Sequence, residues 1–248
     1  MFARRNDDDG WTSTVSSGFA LAGFLTLVFI AFTLLAMGPL IAYDAYFNLE
    51  PPPKGWVPVL HVLDRVGQRA VALPVLAGAV YWVYRRTRSL RPAATALASV
   101  LLLNLVVGVL KLGLGRAQPY TADPSFFAGG MAYPSGHAAN VVLVYGLAVY
   151  LISHYTRPAR RVLIFLWSLV AALSVTMVVT SLTLNWHWFA DLVAGLLVGG
   201  IVLELTATVD RMVPDDATVP QWLRSRTARA RGRIARARPW SRPRHGAG

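Results

Sequence analysis

Apolar residues fall in six long runs, at about 16–43, 70–84, 93–110, 136–153, 161–181 and 188–208, and the segments between them hold nearly all the charge. A helix needs roughly 20 residues to cross a bilayer, so most of these runs are long enough to span one. The pattern predicts an all-α polytopic membrane protein, a bundle of six transmembrane helices with both termini on the same side. The second run is the shortest and contains Pro74, so its helix must extend into its flanks to cross. The first run reads as a retained helix, because it is too long for a cleaved signal and no A-x-A-like site follows it. No repeat of 20 to 50 residues is visible. The expected organisation is one membrane domain over 1–209, followed by a disordered basic tail over 210–248.

Composition agrees with lipid as the solvent: 55% of residues are hydrophobic and 15% charged, against roughly a quarter charged in a soluble domain. The chain has no cysteine, which removes disulfides, thiolate nucleophiles and cysteine metal sites. A net charge of +12 suggests nucleic acid at first sight, but ten of the 24 basic residues are arginines after Asp210. That basicity belongs to one segment, and it suits the anionic lipids of the inner leaflet and not nucleic acid. The other arginines orient the bundle. Arg85, Arg86, Arg88 and Arg91 lie between the second and third runs, and Arg157, Arg160 and Arg161 between the fourth and fifth. Both loops and the tail are therefore expected in the cytoplasm. The segments 44–69 and 112–135, and the short turn at Asn185 and Trp186, are expected outside. Within 44–69, Trp56, Val59, Leu60, Leu63 and Val66 follow three prolines at helical spacing and predict a short interfacial helix.

Candidate chemistry gathers at the outward helix ends. Lys111 closes the third run, and Arg116 and Gln118 follow in a glycine-bearing stretch; two cations there can bind a phosphate or merely snorkel to the interface. The fourth run opens with Tyr133-Pro134-Ser135-Gly136-His137, where Ser135 suits an N-cap and the first-turn amides suit an anion. At the start of the sixth run His187 and Asp191 stand four apart, on one helical face, where a carboxylate can fix the imidazole tautomer. Each pattern alone has a structural explanation; their convergence on one side of the membrane favours a site. Glu204, an ionisable group in the sixth run, is expected to pair with a basic loop residue near the cytoplasmic end.

Together, the Lys111 to Pro119 stretch, Pro134-Ser135-Gly136-His137, and His187 with Asp191 resemble the three motifs of the type 2 phosphatidic acid phosphatase superfamily, over roughly residues 93–205. The resemblance implies that His187 attacks phosphorus and becomes a phosphohistidine, that Asp191 orients it, and that His137 protonates the leaving oxygen. It implies that Lys111, Ser135 and Gly136 hold the phosphoryl oxygens, with no metal and no cofactor. Two departures stand out: Gln118 occupies a position where the family has Arg, and Thr180-Ser181 stands where it has Ser-Arg. Arg116, two residues before Gln118, is the candidate replacement for one lost guanidinium. The activity implied is hydrolysis of a lipid phosphate or diphosphate, such as a polyprenyl diphosphate, phosphatidic acid or phosphatidylglycerol phosphate, at the extracytoplasmic face. A lipid phosphotransferase, and a non-catalytic lipid-binding or transport protein on the same scaffold, remain as alternatives.

Overall fold

The computed structural model describes residues 5–47, 50 and 52–213, with side chains from Thr14 onward. Met1–Met212 is one compact unit, and Val213–Gly248 is a second that, apart from Val213, lies outside the described residues. The basic tail expected from 210 onward therefore falls almost wholly outside them, although α9 itself continues to Met212.

The described chain is helical and shows no strand. The elements are α1 (Arg5–Ala36), α2 (Ile41–Tyr46), α3 (Val57–Asp64), α4 (Arg69–Thr87), α5 (Arg91–Leu114), α6 (Gly136–Asn140), a π turn (Val141–Tyr145), α7 (Gly146–Thr156), α8 (Arg160–Thr183) and α9 (Phe189–Met212). Five spans are long and apolar enough to cross a membrane: Thr14–Ala36, Arg91–Thr121, Gly136–Thr156, Arg160–Thr183 and Phe189–Met212. A sixth arises if Val57–Gly67 and Arg69–Thr87, bent by 45° at their junction, count as one. This is the expected multi-pass, all-α membrane fold, with one difference of detail. The first run does not stay helical through residue 43: α1 stops at Ala36, and a turn over 37–40 carrying Gly38 and Pro39 leads into α2. The second run gains length from its flanks, as its shortness required, and the helix expected in 44–69 is α3.

The helical path from α6 through α7 is the centre of the molecule. Within its most apolar stretch 61% of residues are buried, against 11% in α8, which turns most of its surface outward. On one side Leu147 and Leu151 pack with Leu76 and Val83 of α4 and Met177 of α8. On the other, Leu143 packs with Phe29 of α1, Leu103 and Val107 of α5, and Val198 and Val202 of α9. The many exposed apolar side chains of α1, α5 and α8, such as Phe24, Leu105 and Phe165, are what a lipid-facing surface requires. Alpha-9 approaches the start of α6 through Gly195, where a Cβ would stand 2.9 Å from the Ala138 side chain and strike the Ser135 carbonyl. Small residues at a helix crossing allow such approach, and here it joins two of the sequence motifs.

Candidate active site

Three hydrogen bonds, two of them between backbone groups, hold the motif-bearing segments together at one end of the bundle. The amide of Ser135 donates to the carbonyl of Asp191 at 2.8 Å. The indole Nε1 of Trp188 donates to the Ala117 carbonyl at 2.8 Å, and the Ala132 amide to the Arg116 carbonyl at 3.1 Å. The loop after α5, the start of α6 and the start of α9 are thereby fixed as one unit. Tyr133 anchors the same unit to α1, its hydroxyl 2.6 Å from that of Thr33. Burial pushes this phenol up to about 12, which keeps it a neutral hydrogen-bonding group.

His187 and Asp191 meet, with Nδ1 3.3 Å from Oδ2, but not on one helical face as expected: α9 begins at Phe189, and His187 lies in the turn before it. The same carboxylate oxygen accepts the Trp188 amide at 3.0 Å. The other, Oδ1, accepts from Nη1 of Arg116 at 2.7 Å. Arg116 in turn pairs through Nη2 with Asp44 of α2 and donates through Nε to the Pro124 carbonyl at 3.0 Å. Its guanidinium lies 4.6 Å from the centre of the Phe126 ring, within cation–π range. Asp44 completes the cluster by accepting the Ala190 amide at 2.9 Å. Arg116, Asp44 and Asp191 are all buried, so the carboxylate in contact with His187 is fixed from three directions and screened from water.

A cavity of ≈ 520 Å³ opens beside this cluster. Lys111, Gln118, Gly136, His137 and His187 line it, five of the eight residues that the motifs single out. Lys111 donates to the Met131 carbonyl at its edge. Asp191 and Ser135 lie behind the wall, fully buried; the Ser135 hydroxyl caps α6 by accepting from the Ala138 amide at 3.4 Å. Arg116 is not among the lining residues. Two buried aspartates hold it beneath the cavity, so the geometry does not bring it to the place of a phosphate ligand that its position in the sequence suggested.

Several lining residues carry no motif. Gln68 and Arg69, at the junction of α3 and α4, face the same cavity, with Asn140 and Trp186. Asp44 and Asp64 were visible in the sequence only as two acidic residues balancing a loop; nothing in their spacing ties them to residues 72 or 117 positions away. Asp64 is fully buried, accepts from the Ser181 hydroxyl at 3.2 Å, and lies 3.9 Å from Nε2 of His137. Ser181, where the resembled family has Arg, is thus turned to a carboxylate and does not line the cavity.

The sequence of residues 92–213 matches the family described as the PAP2 superfamily. The match spans 122 of the chain's 248 residues and makes this region similar to that superfamily. The PAP2 match begins at the start of α5 and runs to the end of α9, so it takes in Lys111, His137, His187 and Asp191 and leaves out Asp44, Asp64 and Arg69. Among solved structures, the crystal structure of the first transmembrane PAP2 type phosphatidylglycerolphosphate phosphatase from Bacillus subtilis has the same fold, with a TM-score of 0.66 at 17% identity over 79% of this chain and 98% of that one. No curated protein matches the sequence. The PAP2 match and this structural neighbour agree on the fold.

Proposed function

We propose that the protein hydrolyses a lipid phosphate or diphosphate at the extracytoplasmic membrane face, through a phosphohistidine on His187. The observation that carries this reading is the shared cavity: a histidine held through Nδ1 by a buried carboxylate, a second histidine, and the cations Lys111 and Arg69 face one space. With Nδ1 engaged by Asp191, the other ring nitrogen of His187 is the nucleophile. It attacks phosphorus while His137 gives a proton to the departing lipid oxygen; neutral His137 then takes a proton from the water that releases phosphate from His187. Lys111, Gly136 and the first turn of α6, with Ser135 capping it, stabilise charge on the equatorial oxygens. Arg69 supplies a guanidinium to a cavity wall that carries Gln118 in place of the family's arginine. Arg116 acts one step back, as the residue that positions Asp191.

Purified protein in detergent, offered phosphatidic acid, phosphatidylglycerol phosphate and a polyprenyl diphosphate, tests the reading through released inorganic phosphate. Hydrolysis of at least one, abolished by His187→Ala and retained in the presence of a chelator, is expected. Release of no phosphate from any lipid rejects the hydrolase and favours a binding or transfer protein on the PAP2 scaffold. Transfer of the phosphoryl group to an added alcohol in place of water identifies a phosphotransferase.

A further inference from the structure

Oδ2 of Asp64 is the one buried side-chain oxygen or nitrogen among the described residues that has no hydrogen-bond partner. An isolated buried carboxylate oxygen loses its hydration and persists only where something offsets that loss. The polar group facing it is the imidazole of His137, with Nε2 at 3.9 Å, beyond hydrogen-bond length but within reach of a small shift of the ring. Catalytic hydrogen bonds are commonly long in an empty site and tighten when substrate binds.

The surroundings fix the carboxylate while leaving the ring adjustable. Asp64 is fully buried at the end of α3 and tied through Oδ1 to Ser181 of α8 at 3.2 Å. The turn that follows presses on His137: a Cβ at Gly67 would stand 2.8 Å from the His137 Cβ and 2.5 Å from the Met177 sulfur. Asn140, one helical turn after His137, donates to the Gly67 carbonyl at 3.3 Å, and the Tyr145 hydroxyl to the Val66 carbonyl at 2.9 Å. The side chain of His137 itself keeps 36% of its surface exposed towards the cavity.

We propose that Asp64 is the positioning residue of His137, its carboxylate accepting the Nε2–H of the imidazolium and turning the other ring nitrogen towards the leaving oxygen. The inference rests on the hydrolase reading above. In the first step the bond from phosphorus to the lipid oxygen breaks, the bond from phosphorus to His187 forms, and the proton on the far nitrogen of His137 passes to the lipid oxygen. Water hydrolysis of the phosphohistidine returns a proton to the same nitrogen, while Asp64 keeps Nε2–H throughout. Two histidine–aspartate pairs then face one cavity, one serving the nucleophile and the other the acid. Ser181 belongs to the second pair: an arginine there would neutralise the Asp64 carboxylate, whereas a serine leaves its charge for His137.

Leaving-group dependence separates this role from a structural one. Wild type, Asp64→Asn and Asp64→Glu are assayed on p-nitrophenyl phosphate, whose leaving group needs little protonation, and on the lipid phosphate that the wild type hydrolyses best. Asp64→Asn is expected to lower kcat on the lipid about 30-fold more than on the aryl ester, with KM for both little changed and part of the loss recovered by Asp64→Glu. Equal losses on the two substrates, or none, overturn the assignment while leaving the hydrolase reading intact. Failure of the wild type on every lipid phosphate overturns both. If Asp64→Asn does not fold, Ser181→Ala, which keeps the charge and frees the carboxylate to rotate, is expected to give a smaller loss confined to the lipid; a uniform effect counts against the proposal.

Discussion

Two buried arginine–aspartate clusters stand at opposite ends of the bundle, built from the same parts and put to different use. At the end away from the cavity, Asp210 of α9 accepts from Arg91 Nε at 2.8 Å, from Thr95 at 3.0 Å and from Tyr150 at 2.9 Å, with the Tyr155 hydroxyl 3.2 Å away. Its contacts are hydroxyls and a guanidinium that join α5, α7 and α9, and none of these groups lines the cavity. At the other end Asp191 accepts from Arg116 and from a backbone amide, but its remaining contact is an imidazole that faces the cavity. A buried ion pair is weak evidence for stability, because desolvation offsets most of its attraction. What distinguishes a working cluster from a clamp is whether one of its bonds leads to a group that can reach a substrate.

The sharpest way to break that contrast is Asp191→Asn. It leaves the shape of the site but lets the His187 ring take the wrong tautomer, and turnover is expected to fall by about 10³-fold or more. Arg116→Ala should come next, with about 10²-fold lost from kcat together with a lowered Tm. Removing one partner of a buried pair strands the other charges, at a cost of about 3–5 kcal/mol. Arg116→Lys keeps the charge but not the fork that reaches two aspartates, and is expected to recover little. Asp210→Asn is the control at the opposite end: Tm should fall, by about 1–3 kcal/mol of stability, while kcat per folded molecule stays within about twofold. A kcat loss there as large as that of Arg116→Ala dissolves the distinction. The smallest effect is expected from Gln118→Arg, which adds a cation to a cavity already holding two and should raise kcat on lipid phosphates only severalfold. Because the chain has no cysteine, the sidedness of the two clusters can be read directly. A cysteine introduced at Thr121 should react with an impermeant thiol reagent in intact cells, and one at Arg88 should not.

Much of this was legible in the sequence because it depends on short-range spacing. Hydrophobic run lengths encode the spans, and Ser135 before Gly136-His137 encodes a capped helix start; the four-residue spacing of His187 and Asp191 brings them close, although across the entry to α9 and not along a helical face. The parts that were not legible depend on where a distant segment returns. Asp44, Asp64 and Arg69 lie in a stretch whose charges cancel, and only the folding of α2 against α9 and of α3 against α8 gives the two aspartates their partners, while Arg69 comes to the cavity wall. Arg116 illustrates the limit. Its sequence position beside Gln118 suggested a phosphate ligand, yet two carboxylates from either side of it in the chain hold it in the interior. Glu204 shows the same limit: its partner is Arg211 at 3.5 Å, on its own helix and not in a loop.

The span of the Arg116 cluster bears on how the molecule is made. The arginine draws one carboxylate from 72 residues earlier and another from 75 residues later, and the later one belongs to α9, the last of the described helices. Until α9 is inserted, the growing chain has the guanidinium and Asp44 but not the second anion, nor the Trp188 indole that closes over the Ala117 carbonyl. His187 and Asp191, the carboxylate that contacts both its ring and Arg116, arrive on one segment of five residues, 187–191. On the hydrolase reading, the cavity therefore gains its histidine–aspartate pair only when α9 joins the bundle, and a nascent protein stalled before that segment is expected to lack turnover.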